Sequence, residues 1–600
     1  MKQRLTALIA SVLALVVLTV GFLFLEQHCQ APVPVPSVPG GYYDEEFVLQ
    51  FTAPENGTIY YTTDGSTPTT QSAVYSGGIP IVNRSSEPNI YKAVQNVVSD
   101  WKTYTPDPTP VEKGTVVRAI YVSDWGQVSD ILTQTYFVGI PQPEEGYTLS
   151  IVFEYDDLFG ENGIYVTGKE YDDWYLSGGD PAQAPLPNFM KDMEVVTTAE
   201  WLDSEGDILN QPVGLRIQGN TSRIFPAKRL IITAREEYSG SQFFDAPLFP
   251  DVITHSVMLK DSLPDAMMSD LLQDRSVSTQ QCIPVRVYLN GEFLYSSYMF
   301  ERYDSQYFRQ YYQVADRILV KDGAPDEESL ALSEVDYYGE YMYWIKHTDF
   351  SNPAQWAQFQ EETDVQSYID YIITNYYMCN YDFSEAHNYV LWRSCWEGSG
   401  PYDDLRWRWC IYDIDVLLGI IYNEAIDDPA ALNLFSNAPE YHINILSIFS
   451  ALRVNEDFCR QFVLSFQDMV NNNFAPERVE AVLKKYGYTL DWRDGYFRRR
   501  PAFAMQHLAE EFNLTGTLEM VQITSAHPEM GTVTVNTSQI DLSSSSWTGQ
   551  YYTDYPITIT ATPEPGYTFV GWKGDTGETS TQITLPVTGG ISLEAVFAEA

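Results

Sequence analysis

Between Thr363 and Gly419 the chain carries the residue types that a magnesium–nucleotide site needs. Asp382 is followed by Asn388 six residues on, and Asp413 and Asp415 come after a stretch that reads as a hairpin. Phosphoryl transfer calls for a carboxylate near the attacking hydroxyl and hard oxygen ligands for the metal, all on rigid supports.

The elements that must position these residues are legible from spacing. Val365, Tyr368, Ile369, Ile372, Ile373 and Tyr376 recur at helical intervals and predict an amphipathic helix, with Thr363 or Asp364 able to cap its start. Asn388 to Ser394 is β-branched and aromatic and reads as a strand. Cys395 to Leu405 reads as a loop, and Arg406 to Tyr412 alternates as a second strand. Asp413 and Asp415 then stand at the strand end. Side chains two apart on an extended segment point the same way, so both carboxylates are expected to face one cation. Protein kinases use the same order for the catalytic carboxylate, the metal-binding Asn and the metal-binding Asp. An Asp-x-Asp at a strand end also suits structural calcium in an acidic extracellular protein.

Six hundred residues is too long for one core and predicts several domains. The formal net charge is −46, which repels nucleic acid and excludes it as a partner class. With 44% hydrophobic and 14% aromatic residues, the acidity is not a sign of disorder. Lys2 and Arg4 precede an apolar run from Leu5 to Leu25, long enough to span a bilayer as a helix. Residues 1–30 are accordingly expected to be an n-region and an uncleaved signal anchor, with the bulk of the chain outside. A cleaved signal peptide is the competing expectation. The six cysteines include no C-x-x-C pair, so a zinc site is not expected. Cys395 and Cys410 flank the hairpin and could bridge it; the favoured alternative makes Cys379, Cys410 and Cys459 small buried hydrophobes.

Two all-β modules flank the middle of the chain. Residues 31–140 contain Tyr60-Tyr61-Thr62-Thr63-Asp64-Gly65-Ser66-Thr67-Pro68 and close on Thr135-Tyr136-Phe137-Val138-Gly139. This segment resembles the small β-sandwich at the C-terminus of chitobiase and β-hexosaminidase enzymes; a spacer role is expected first, weak cell-wall carbohydrate binding second. Residues 516–600 carry Gly566-Tyr567-Thr568-Phe569-Val570-Gly571-Trp572 and end near Ala595-Val596-Phe597. They resemble the bacterial surface repeat related to the internalin B-repeat.

Residues 145–513 contain Arg216 to Arg223 with Gly219-Asn220-Thr221-Ser222, then Lys228, the Leu289-Asn290-Gly291-Glu292 hairpin, Glu301 and Lys321. With Asp382, Asn388 and Asp413-x-Asp415, this order resembles the spore-coat protein H (CotH) family of atypical kinases. The resemblance implies an α+β, two-lobed, protein-kinase-like central domain in a multidomain chain. A β-rich lobe is expected from Tyr147 to Lys321 and a helical lobe from Tyr337 to Phe512, with helices over Asp457–Asn472 and Pro476–Lys485. Asp382 would face the acceptor hydroxyl; Asn388, Asp413 and Asp415 would hold Mg²⁺ or Mn²⁺ on ATP. Arg216, Arg223 and Lys228, with Lys321 as a further candidate, would meet the phosphates. Glu301 would pair with a phosphate-binding lysine or sit beside the base. Asn388 departs from the kinase pattern by one residue, since kinase loops place the metal Asn five after the Asp. In so acidic a chain, Arg216 and Lys228 could instead pair with surface carboxylates. His387 is expected to orient the loop, and Arg498-Arg499-Arg500 to pair with acidic neighbours.

The implied activity is transfer of the ATP γ-phosphate to Ser or Thr of surface or coat proteins by an extracytoplasmic enzyme. The alternative is a catalytically silent kinase-like scaffold for surface or carbohydrate binding. A glycoside hydrolase is a third class, disfavoured because the ordered Asp/Asn set suits metal–phosphate chemistry better than a carboxylate pair across a sugar.

Overall fold

A computed structural model describes residues 31–52, 54, 56–380, 382–383, 387–415, 428–436 and 443–600. The expected signal anchor and Cys29 lie outside the described residues, as do Tyr381 and residues 384–386 of the candidate loop. Among the described residues no helix is long and apolar enough to cross a membrane. The protein is multidomain: a mixed α/β middle flanked by two all-β regions. By contacts it divides into two compact units, residues 1–261 with 283–302, and residues 262–282 with 303–600.

In the first unit, strands β1 (Gly41–Tyr43), β2 (Gly57–Thr62), β3 (Ala73–Val74), β4 (Thr115–Ser123) and β5 (Leu132–Val138) form a sheet in the order β1-β5-β4-β2-β3. Ile59, Val117, Ala119, Tyr121, Tyr136 and Val138 bury its inner face. The same unit holds a closed seven-stranded barrel. Its strands are β6 (Tyr147–Val152), β7 (Glu194–Leu202), β8 (Asp207–Gln218), β9 (Arg229–Thr233), β10 (Ser256–Lys260), β11 (Cys282–Leu289) and β12 (Glu292–Phe300). They close in the order β6-β7-β8-β9-β10-β12-β11, with β6 and β11 parallel. Inward alternation of Leu149, Ile151, Leu215, Ile217, Leu230, Ile232, Val257, Leu259, Val285 and Val287 fills its core.

The Asn-Gly turn joins β11 to β12 as the sequence predicts. Asn290 and Gly291 have φ of 44° and 84°, the double positive φ that a two-residue type I′ hairpin demands. The hairpin is also a docking element. The Glu292 carboxylate accepts from the N–H groups of Ile90, Tyr91 and Lys92 at 2.7, 3.0 and 2.9 Å, and Gly114 donates to the Gly291 carbonyl at 2.9 Å. A Cβ on Gly291 would stand 2.5 Å from the Gly114 oxygen.

The second unit begins with residues 262–282, which lie in sequence between two barrel strands and carry helix α1 (Leu263–Leu271). A four-stranded sheet follows, built from β13 (Arg317–Lys321), β14 (Ala324–Pro325), β15 (Val390–Ser394) and β16 (Arg408–Cys410) in the order β14-β13-β15-β16. Its helices include α2 (Val365–Tyr377), α3 (Glu456–Asn471) and α4 (Pro476–Lys485). The expected division of the middle segment is therefore corrected. Arg317–Lys321 does not belong to the barrel-bearing unit, because its hydrogen-bond partners are β14 and β15.

Helix α2 forms where its apolar spacing predicts, and Asp364 caps it by accepting from Ser367 N–H at 3.0 Å. It is not amphipathic, however: every residue but Gln366 is buried. A helix buried all round needs partners for its polar residues, and Asp370 finds them in Arg275 and the Ser276 N–H. Cys282, Cys379, Cys395, Cys410 and Cys459 are free thiols, so the Cys395–Cys410 bridge is not formed and the buried-hydrophobe alternative describes Cys379 and Cys410. Of the arginine run, Arg498 and Arg499 pair with Asp491 and Asp428. Arg500 is buried and donates to the carbonyls of Tyr376, Tyr377, Ala430 and Leu432.

The C-terminal module has strands β17 (Leu518–Thr524), β18 (Gly531–Val535), β19 (Ser538–Gln539), β20 (Ser546–Tyr552), β21 (Ile557–Pro563), β22 (Tyr567–Gly574), β23 (Gln582–Leu585) and β24 (Ile591–Glu599). They pair as two sheets, β20-β17-β24-β22 and β19-β18-β21-β23. Their alternating apolar residues make one core. Asp468 of α3 accepts from Asn536 Nδ2, Thr537 N and Oγ1, and Tyr551 Oη at 2.7–3.0 Å, so the module is anchored to α3 by a satisfied buried carboxylate.

Candidate active site

One end of the four-stranded sheet collects most of the predicted residues. Lys321 pairs with Val390 and Val390 with Cys410, so the ends of β13 and β16 and the start of β15 lie in one row. Lys321, Asp322, Asn388 and Asp413 all fall within three residues of that row. Nothing local in the sequence distinguishes Asp322. In the fold its N–H donates to the Tyr389 carbonyl at 2.8 Å and its Oδ1 accepts from Tyr389 N–H at 3.3 Å.

A ladder of buried amides sets the loop after α2. Asn380 Nδ2 donates to Asn375 Oδ1 at 2.8 Å, and Asn380 Oδ1 accepts from Asp382 N–H at 3.0 Å. Asn388 Nδ2 then donates to the Asp382 carbonyl at 2.8 Å and to Asp382 Oδ2 at 3.1 Å. Asn388 takes a left-handed φ of 55°, a conformation that Asn tolerates better than most residues. The extra residue between Asp382 and Asn388 is accommodated with the pair still in hydrogen-bond contact. His387 Nε2 lies 3.6 Å from Asp382 Oδ2 and is half exposed, consistent with an orienting role.

Burial pushes the Asp382 carboxyl up from its ordinary pKa, and the charges of Asp415 and Asp413 push the same way, outweighing His387 and the Asn388 hydrogen bond. The two acidic residues thus face Asp382 electrostatically, but not for the expected reason. Asp413 has a left-handed φ of 52°, so Asp413 and Asp415 are not related by strand alternation. The turn is held from elsewhere: Asp265 of α1 accepts from Ile414 N–H at 3.1 Å. Lys321 Nζ donates to Tyr412 Oη at 2.8 Å. Desolvation pulls its pKa down, but Tyr412, Asp322 and Asp413 outweigh that and the pKa is raised, so the ammonium is favoured.

The remaining candidates lie in the other unit. Arg216 is half-buried on β8, in register with Glu194, and helps to hold the Glu194 and Asp192 carboxylates ionised. Arg223 donates to the carbonyls of Gly219, Met190 and Lys191 and pairs with Asp192 at 2.9 Å. Lys228 is buried, with its ammonium donating to the carbonyls of Val97, Arg223 and Phe225 at 2.8, 2.6 and 3.1 Å. Desolvation pulls its pKa down to about 7. In this arrangement three carbonyls occupy its three donors. Glu301 is buried just after β12.

Residues 215–491 match the family model described as CotH kinase protein. The chain carries a CotH kinase family domain. Residues 47–136 match the model described as Fn3 associated, over the segment expected to be a chitobiase-type sandwich. Residues 522–600 match that of the divergent InlB B-repeat domain. Among curated proteins none matches the chain. The CotH match covers both parts of the middle segment, from Leu215 on β8 through the Asp382 loop and the Asp413–Asp415 turn to Asp491.

The CotH domain's donor set suits a hard divalent cation. Asn388 uses its Nδ2 on Asp382, leaving an amide oxygen of the right chemistry, and burial together with the Asp415 and Asp413 charges raises the proton affinity of Asp382, a repulsion that a cation relieves. Among the described residues no group of three His, Cys, Asp or Glu side chains converges to hold a metal ion.

Proposed function

We propose that the CotH domain is an atypical protein kinase that transfers the ATP γ-phosphate to Ser or Thr of surface or coat proteins. The observation that carries this is the Asn388–Asp382 hydrogen bond beside the Asp413–Asp415 turn, inside a segment that matches the CotH family. Asp382 would orient the acceptor hydroxyl and take its proton as the oxygen attacks phosphorus. Asn388 fixes the Asp382 carboxylate from Nδ2. Asn388, Asp413 and Asp415 would hold Mg²⁺ or Mn²⁺, which when bound neutralises charge on the transferring phosphate. Lys321, kept charged beside Tyr412 and Asp413, would meet a nucleotide phosphate. Arg216, Arg223 and Lys228 belong to the other unit and stay candidate phosphate cations within it.

A second proposal draws on the committed donors of Arg223 and Lys228: a catalytically silent kinase-like scaffold for surface or carbohydrate binding. Both proposals put the chain at the cell surface, in keeping with the B-repeat match. Labelled ATP with magnesium and a Ser/Thr-rich acceptor separates them. Transfer by the wild type that is lost in a folded Asp382→Ala variant supports the kinase. Nucleotide binding without transfer supports the scaffold, and release of reducing sugar from peptidoglycan or chitin would overturn both.

A further inference from the structure

Residues 262–282 lie in sequence between β10 and β11 but pack in the second unit, where they touch both halves of the candidate site. Ser262 caps α1, its side chain accepting from Asp265 N–H while its hydroxyl donates to Asp265 Oδ2. Oδ1 of the same carboxylate accepts the Ile414 N–H at 3.1 Å, at the centre of the Asp413–Asp415 turn. Asp265 is 7% exposed and stands in the first turn of α1, where the helix dipole favours its charge.

Further along the segment, Arg275 pairs with Asp370 on α2, and Ser276 N–H donates to the same carboxylate at 2.9 Å. Ser278 then binds β16 on both sides of Cys410. Its N–H donates to the Trp409 carbonyl and its carbonyl accepts from Ile411 N–H, both at 2.9 Å. One continuous segment therefore grips the helix that leads into the Asp382 loop and the strand that leads into the acidic turn.

We infer that Asp265 is a positioning residue that fixes the Asp413–Asp415 turn relative to the Asp382 loop. Asp413 takes a left-handed φ and the Ile414 that follows it is buried, so the Ile414 N–H needs an acceptor. A buried carboxylate locked by Ser262 provides one. The inference rests on the proposal that this turn holds a divalent cation, and the test keeps the two apart.

The full chain would be compared with Asp265→Ala and Asp265→Asn by Mn²⁺ titration in the presence of ATP, and by hydrogen exchange of the peptide containing Ile414. Asp265→Asn retains an oxygen acceptor and should stay within about threefold of wild type. Asp265→Ala should weaken Mn²⁺ binding by about tenfold or more, as loss of a partner behind a metal ligand does. It should also speed exchange at Ile414 while α2 stays protected. If the alanine variant does not fold, Ser262→Ala should show the same changes to a smaller degree. Unchanged exchange at Ile414 in a folded variant overturns the inference, as does faster exchange with wild-type Mn²⁺ affinity. Wild type that binds no Mn²⁺ overturns the metal proposal instead, and exchange alone then decides whether Asp265 holds the turn.

Discussion

Asn388 holds Asp382 with one amide nitrogen, which reaches the Asp382 carbonyl at 2.8 Å and its carboxylate at 3.1 Å. Backbone and side chain of the candidate catalytic residue are fixed by the same group. Asn388→Ala should therefore act on Asp382 as well as on the metal. Phosphate transfer should fall by about 10²-fold or more, with a thermal midpoint close to wild type. Steady-state kinetics beside a melting curve checks this, and unchanged turnover would count against the assignment.

The raised Asp382 pKa carries a sign. Its folded pKa lies above the unfolded value, so the folded state binds more protons between the two. Stability from this group is present below the unfolded pKa and is lost as pH rises through the folded one. Asp382→Asn should consequently melt higher than wild type near neutral pH, and the gap should close in acid. Added Mg²⁺ should narrow the neutral-pH gap. Melting curves from pH 3 to 8, with and without magnesium, would show an equal gap at all pH values if the idea is wrong.

His507 is expected to govern part of the acid stability. It is 6% exposed, and burial, followed by the Arg500 charge, lowers its pKa to about 4. Its folded pKa is below the unfolded value, so the unfolded state binds the proton between those values and stability is lost as pH falls through that window. From 6.5 to about 4 the loss is on the order of 3 kcal/mol. Urea unfolding at several pH values should give a shallower acid slope for His507→Phe; equal slopes would refute it.

Arg275 joins α2 to the C-terminal module, because the guanidinium that pairs with buried Asp370 also donates to Thr537 and to Ser538 Oγ. Arg275→Met should orphan the Asp370 charge and cost about 3–5 kcal/mol. Limited proteolysis should then release a fragment near residue 516 earlier than in wild type. Similar cleavage kinetics for both would show that the module is held mainly by Asp468.

The helix before the Asp382 loop, both strands of the hairpin and the Asn-Gly turn could be read locally, because each is written in a short-range pattern of period or turn chemistry. The order of Asp382, Asn388 and the acidic pair was legible for the same reason. Lys228 has a lysine's local pattern beside a Gly-Asn-Thr-Ser loop, and only the fold shows that its ammonium meets three carbonyls. Asp265 and Asp322 carried no local signal.

By itself the sequence determined the modules, their order, the family of the middle segment and the residue types of an acidic oxygen-donor site. Tertiary structure decided which of those residues meet. It put Lys321 at the same end of the sheet as Asn388 and Asp413, buried α2 nearly all round, and placed Asp265 of residues 262–282 against the acidic turn. These outcomes depend on strand register and on satisfying buried polar groups across more than a hundred residues of chain, which no local pattern encodes.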